Sequence, residues 1–156
     1  MLEPGDAEFD ELLELSSCAI GAGLQPRQRH RWRELVLDLL GKLGDASSDR
    51  RLGLRAHARL SVHILAPQDR AGLHTSTVSS GGISLKLRNP PPKGTRLKLS
   101  IDTGLRPAPI LCTAEVIWSR SGPDSACGAL FVDLMSPDRE LLEGIAISEL
   151  LAAALN

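Results

Sequence analysis

"RLSVHILA", residues 59 to 66, decides the fold, because here the apolar residues stop recurring at helical spacing and begin to alternate with polar ones. Strict alternation is the mark of a half-buried strand. The same pattern returns in "ISLKL" (83–87), "TRLKLSI" (95–101), "ILCTAEVIW" (110–118) and "GALFVDL" (128–134). "GLHTSTV" (72–78) adds one more strand. Between them stand "APQDRAG", "RNPPPKG", "DTGLRPAP" and "SRSGPDS", rich in the residues that reverse a chain. About six strands at such short intervals predict a small antiparallel barrel or sandwich.

Upstream of residue 45 the period is helical. Phe9, Leu12, Leu13, Ala19 and Ile20 share a face, Asp6 is placed as an N-cap, and Gly21 and Gly23 end the pattern. A second helix opens at "QPRQRHRW" with Pro26 in the first helical position, where its missing N–H costs nothing. Trp32, Leu35, Val36, Leu39, Leu40 and Leu43 follow the i, i+3, i+4, i+7 template, and Gly44 stops it. The two predict an antiparallel hairpin whose apolar faces are buried against the following domain or another subunit. "DASSD" (45–49) reads as a polar linker. At the other end, "SPDRELLEGIAISELLAAALN" predicts a C-terminal helix, with Ser136 placed to cap and Pro137 in the first turn. Leu141, Leu142, Ile145, Leu150 and Leu151 form its apolar face. The fold class is therefore mainly β with flanking helices. Residues 1–46 form an N-terminal helical hairpin extension, and residues 47–156 a β-barrel domain with its helix.

Composition narrows the function classes. A net charge of −1 gives no bulk attraction to polyanions, and 3% aromatic residues with no tyrosine leave little to stack successive bases. DNA and RNA are not expected partners. The three cysteines, Cys18, Cys112 and Cys127, include no C-x-x-C and predict reduced thiols in a cytoplasmic protein. The acidic start "MLEPGDAEFDEL" lacks the features of a signal peptide. No apolar run approaches the ~20 residues that span a bilayer.

Catalysis is not expected. His30, His57, His63 and His74 are scattered without metal-ligand spacing, so no metal or cofactor is anticipated. "SSG" lacks the G-x-S-x-G elbow, and "SSGG" leads into a strand rather than a phosphate-binding helix. Paired carboxylates such as Glu11 and Glu14 read as solvated helix surface.

Two basic clusters remain. "RQRHRWR" (27–33) places cations near a helix N-terminus, against the helix dipole, and calls for acidic compensation. Glu8, Asp10, Glu11 and Glu14 of the first helix are the favoured source, an external acidic partner the other. "DRRLGLRAHARLSV" (49–62) carries Arg55 and Arg59 four apart, with Arg50 and Arg51 upstream. Planar guanidinium forks match phosphates and guanine edges, although a solvated basic linker has the same composition. The glycines of "TVSSGGISL" (77–85) mark a bulge, a turn or a close approach of backbone to a ligand.

Read together, "RAHAR" followed by "TVSSGG" resembles the paired Arg-x-x-x-Arg and Asp/Asn-x-Ser-x-x-Gly motifs of the PilZ domain family. The resemblance runs from about Arg50 to the C-terminus and includes "AEVIW" and "CGALFVDLMSPDRELLEGI". It implies a six-stranded antiparallel PilZ-type β-barrel and a bacterial receptor for the second messenger cyclic di-GMP. Carried over, Arg55 and Arg59 grip phosphates and guanine Hoogsteen edges. Ser79 supplies a hydrogen bond, and Gly82 lets the base or backbone lie close. Thr77 stands where the family has Asp or Asn, so that one hydroxyl replaces a carboxylate or amide. Arg51 is a further contact. Leu54, an apolar residue directly before Arg55, implies one nucleotide per chain rather than an intercalated pair. The implied partners are cyclic di-GMP, an unidentified protein, and a second copy through the N-terminal hairpin. The alternative is a PilZ-like adaptor that binds no nucleotide and works only through protein or oligomer contacts.

Overall fold

The computed structural model describes residues 7–20, 23–43 and 55–155. Asp6, Gly21, Gly44, the linker 45–49, Arg50, Arg51 and Leu54 lie outside the described residues, as do the side chains of Phe9, Ile20, Leu39, Leu40, Leu43 and Leu151. Two helices, α1 (Ala7–Ile20) and α2 (Pro26–Leu43), precede strands β1 (Ala56–His57), β2 (Ser61–Ala66), β3 (Arg70–Val78), β4 (Gly82–Lys86), β5 (Arg96–Asp102), β6 (Ile110–Arg120) and β7 (Ala126–Asp133). Helix α3 (Ser136–Leu155) follows.

Strands β2 to β7 close into a six-stranded antiparallel barrel in the order β3-β2-β5-β6-β7-β4, with β4 pairing back onto β3. Closure leaves no edge through the wall. The alternation explains the wall. Leu97, Leu99 and Ile101 of β5 face inward and are fully buried, while Arg96, Lys98 and Asp102 are exposed. Leu141, Leu142 and Ile145 of α3 pack into the same core and seal it. The seventh strand, β1, was not anticipated. It is two residues long and lies against β3, outside the closed ring.

Pro26 opens α2 as its fixed φ requires. Helix α3 starts one position earlier than a Ser136 cap implies. Ser136 is itself helical, and the Met135 carbonyl accepts the Arg139 N–H at 2.9 Å. The apolar faces of α1 and α2 find their partner in the same chain. Leu12, Leu15 and Ala19 of α1 meet Trp32, Leu35 and Val36 of α2 and Ile147 of α3 in a second core. Trp32, completely buried, donates from Nε1 to the hydroxyl of buried Ser16 at 3.1 Å. One helix therefore belongs to both cores, with Leu142 in the barrel and Ile147 among the helices.

The basic run of α2 is compensated from within. Arg31 pairs with Glu11 of α1 at 2.9 Å, which lifts the guanidinium pKa further, and Arg29 pairs with Glu140 of α3 at 2.8 Å. The other Glu140 oxygen accepts the Leu24 N–H at 2.8 Å.

Candidate functional site

The two motif segments meet on the outer wall of β3. Strand β1 pairs antiparallel with its end, Ala56 opposite Val78 and His57 opposite Thr77. Arg55 immediately precedes that ladder and Ser79 immediately follows it, so the ladder brings these two residues to the same end. Both Arg55 and Arg59 are exposed. Among the described residues no hydrogen bond or ion pair engages either guanidinium.

Arg59 owes its position to an interruption. Strands β1 and β2 run along the same side of β3, and residues 58–60 leave the regular ladder between them. Thr75, 5% exposed, fills the gap with its side chain. Its Oγ1 accepts the Leu60 N–H at 2.9 Å and donates to the Ala58 carbonyl at 2.6 Å, while its own N–H bonds the Leu60 carbonyl at 3.0 Å. Both chain neighbours of Arg59 are thus pinned to β3, and Arg59 sits at the break. Breaks of this kind re-aim a side chain. Arg59 borders an open cavity of about 730 Å³ that His57, His74, Lys86 and Glu149 also line.

Ser79 and Gly82 serve the backbone. Ser79 is 1% exposed, and its Oγ accepts the N–H groups of Gly81 and Gly82, each at 3.1 Å. The Ser79 N–H bonds the Gly82 carbonyl at 3.0 Å. The hydroxyl thereby closes the turn between β3 and β4. Two outside elements hold this turn: the Phe131 N–H bonds the Gly81 carbonyl at 2.9 Å, and Arg139 of α3 bonds the Ser80 carbonyl at 3.0 Å. Gly82 is buried against β7, where a Cβ would overlap the Ala129 carbonyl oxygen. The open approach to a ligand expected at this glycine is filled by the barrel's own wall.

Thr77 is half-buried on the outer face, and its Oγ1 lies 2.6 Å from Oγ of Ser84 on β4. Ser84 Oγ also accepts the Thr77 N–H at 3.1 Å. These residues belong to one cross-strand row: His57, Thr77, Ser84, Gly128 and Trp118 stand opposite one another on β1, β3, β4, β7 and β6. Gly128 is a glycine for a physical reason, because the Trp118 indole lies where its Cβ would be. Arg120 stacks over that indole, 5.8 Å from its centroid.

Sequence reasoning missed Thr75, Ser84 and Arg139. Ser84 had a signal, since the polar residue between Ile83 and Leu85 must face outward beside the motif. Thr75 had none, because the bulge between Thr75 and Thr77 breaks the alternation that would have placed it. Cys112 and Cys127 are buried, and burial, reinforced by Asp133 and Asp138, pushes the Cys112 thiol up to about 12. No group of three or more metal-ligating residues occurs among the described residues. No helix is long and apolar enough to cross a membrane among them.

The PilZ domain profile matches residues 49–148. Among solved structures the fold is similar to the inhibitor of motility MotI/DgrA of Bacillus subtilis, with a TM-score of 0.59 and 22% identity over 66% of this chain and 52% of that one. It is similar to the PilZ domain of YcgR from Escherichia coli, solved with c-di-GMP, at 0.51 and 16% over 67% and 94%. K. pneumonia MrkH gives 0.51 and 17% over 69% and 51%. The chain spans about half the length of MotI/DgrA and of MrkH. No curated protein sequence matches it. At such identities the structural likeness is one of fold.

Proposed function

Because the chain belongs to the PilZ domain family, we propose that it is a bacterial cytoplasmic receptor that binds cyclic di-GMP and relays the signal by protein contact. The observation that carries this reading is the β1–β3 ladder, which sets the Arg55–Arg59 segment against the Thr77–Gly82 segment. Two cationic forks that no hydrogen bond or ion pair engages among the described residues then stand beside a polar outer wall, the chemistry a dianionic guanine dinucleotide asks for. In this reading Arg55 and Arg59, with Arg51, take phosphates and Hoogsteen edges. Thr77 faces a guanine, Ser79 and Gly82 shape the floor, and Leu54 limits the site to one nucleotide. Residues 47–156 make up the receptor domain, and the 1–46 hairpin carries the output to a protein partner or to a second copy.

Arg139 supports the relay. It ties the Ser80 carbonyl of the site turn to α3, whose adjacent Glu140 holds Arg29 and Leu24 of the helical cluster. A ligand that reshapes the turn acts on a helix that both cores share.

A second reading, an adaptor without nucleotide, is favoured by one observation: the hydroxyls of Thr77 and Ser79 already have partners inside the protein. Isothermal titration with cyclic di-GMP separates the two. The receptor reading expects saturable heat that Arg55→Ala and Arg59→Ala each abolish or severely weaken. No heat and no thermal stabilisation at concentrations well above micromolar leaves the adaptor.

A further inference from the structure

Thr77 and Ser84 form a pair of hydroxyls on adjacent strands, with their oxygens 2.6 Å apart on the outer wall. We infer that the pair acts as a unit, and that Ser84 supplies the second acceptor for the Watson–Crick edge of a guanine. The inference rests on the receptor reading and deepens it.

Guanine presents two parallel N–H donors on that edge, N1–H and N2–H. A single threonine oxygen meets one of them well. Two oxygens at this separation approach the spacing of a carboxylate's two oxygens, and so present acceptors to both donors.

The proton count permits it. A hydroxyl has one donor and two lone pairs. Ser84 Oγ accepts the Thr77 N–H with one lone pair. If the Ser84 O–H is donated to Thr77 Oγ1, each oxygen keeps one lone pair, and the Thr77 O–H is free to turn elsewhere. Two free lone pairs then face two N–H donors, with none left over. The opposite orientation, Thr77 donating to Ser84, fills both Ser84 lone pairs and leaves that oxygen unable to accept. The ligand thus selects one of two hydroxyl orientations, a rearrangement that moves no heavy atom.

Fold holds the geometry. Thr77 and Ser84 are directly opposite in the β3–β4 ladder, and Val78 and Ile83, the next pair, are buried in the core. A slip of the ladder would have to expose both, so the register that joins the hydroxyls is fixed from inside the barrel.

The test uses the full chain and two ligands, cyclic di-GMP and its analogue without the 2-amino groups, cyclic di-IMP. The wild type should prefer cyclic di-GMP by about tenfold, the order of one well-made hydrogen bond to a neutral donor. Ser84→Ala should weaken cyclic di-GMP binding about tenfold and erase the preference. Thr77→Val, which keeps the shape of the side chain, should also reduce it. Retained far-ultraviolet circular dichroism and melting temperature establish that each variant is folded, and Ser84→Thr should restore discrimination. A Ser84→Ala protein that still prefers cyclic di-GMP by the wild-type ratio overturns the inference while leaving the receptor reading intact. A wild type that binds neither ligand overturns both.

Discussion

Gly82 on β4 and Ala129 on β7 are directly coupled: a Cβ on the glycine would occupy the space of the alanine's carbonyl oxygen and come within 3.2 Å of Leu130 Cδ2. The motif glycine is therefore needed to close the barrel, whatever it does for a ligand. Gly82→Ala should destabilise the protein by about 1–3 kcal/mol, since backbone cannot step aside as a side chain can. Gly128→Ala meets the Trp118 ring, which is 38% exposed and has room to swing outward. It should cost less and shift tryptophan fluorescence. Thermal unfolding of the two variants decides, and equal losses would refute the distinction.

Thr75 should matter to Arg59 without touching any ligand. Thr75→Val keeps the shape but leaves the Leu60 N–H without its hydroxyl acceptor, at a cost of about 1–3 kcal/mol for an unsatisfied buried donor. Amide exchange at Leu60 should accelerate. Affinity for cyclic di-GMP should fall, and combining the change with Arg59→Ala should add nothing to the loss from Arg59→Ala alone. Thr75→Ser should behave as wild type. Full additivity in the double variant would show that Thr75 does not act through Arg59.

Glu143 sets a pH dependence of stability. Burial between α2 and α3 raises its pKa, assisted by Glu140 and opposed by Arg33, Arg139 and Arg29. In the unfolded chain the carboxyl titrates at its ordinary value, so between that value and the raised one the folded state holds a proton that the unfolded state has lost. Stability from this group is full below the ordinary carboxylate range and falls as pH rises through the raised value. Glu143→Gln should remove that fall and be more stable than wild type at neutral pH. Urea unfolding across mildly acidic to neutral pH measures it, and a Gln variant weaker at neutral pH would mean that the arginines outweigh desolvation.

The cysteines should separate kinetically. Cys18 is partly exposed, whereas Cys112 and Cys127 are buried and their thiol pKa values are raised, chiefly by desolvation. An aromatic disulfide reagent at neutral pH should titrate one thiol promptly and the other two only at the rate of unfolding. Prompt reaction of all three would show that the barrel core opens readily.

Sequence alone determined what depends on local periodicity. Alternation placed β2 and β4 to β7, because a period of two reports a buried face directly, whereas β3 was added between turn signals without that pattern. Helical spacing and Pro26 placed α2 for the same kind of reason. The paired motifs were legible as residue types, Arg55 and Arg59 with Thr77, Ser79 and Gly82. Tertiary structure decided whatever depends on register across strands. That Thr77 stands beside Ser84 is set by burial of the next pair, Val78 and Ile83, and where Thr75 stands is set by a bulge between Thr75 and Thr77, which no local pattern announces. Thr75 reaches across to the Arg59 segment for the same reason. The destination of the helical pair was undetermined too, because an apolar face states only that it must be covered. Here the cover is α3, with Ile147 turned to the helices and Leu142 to the barrel.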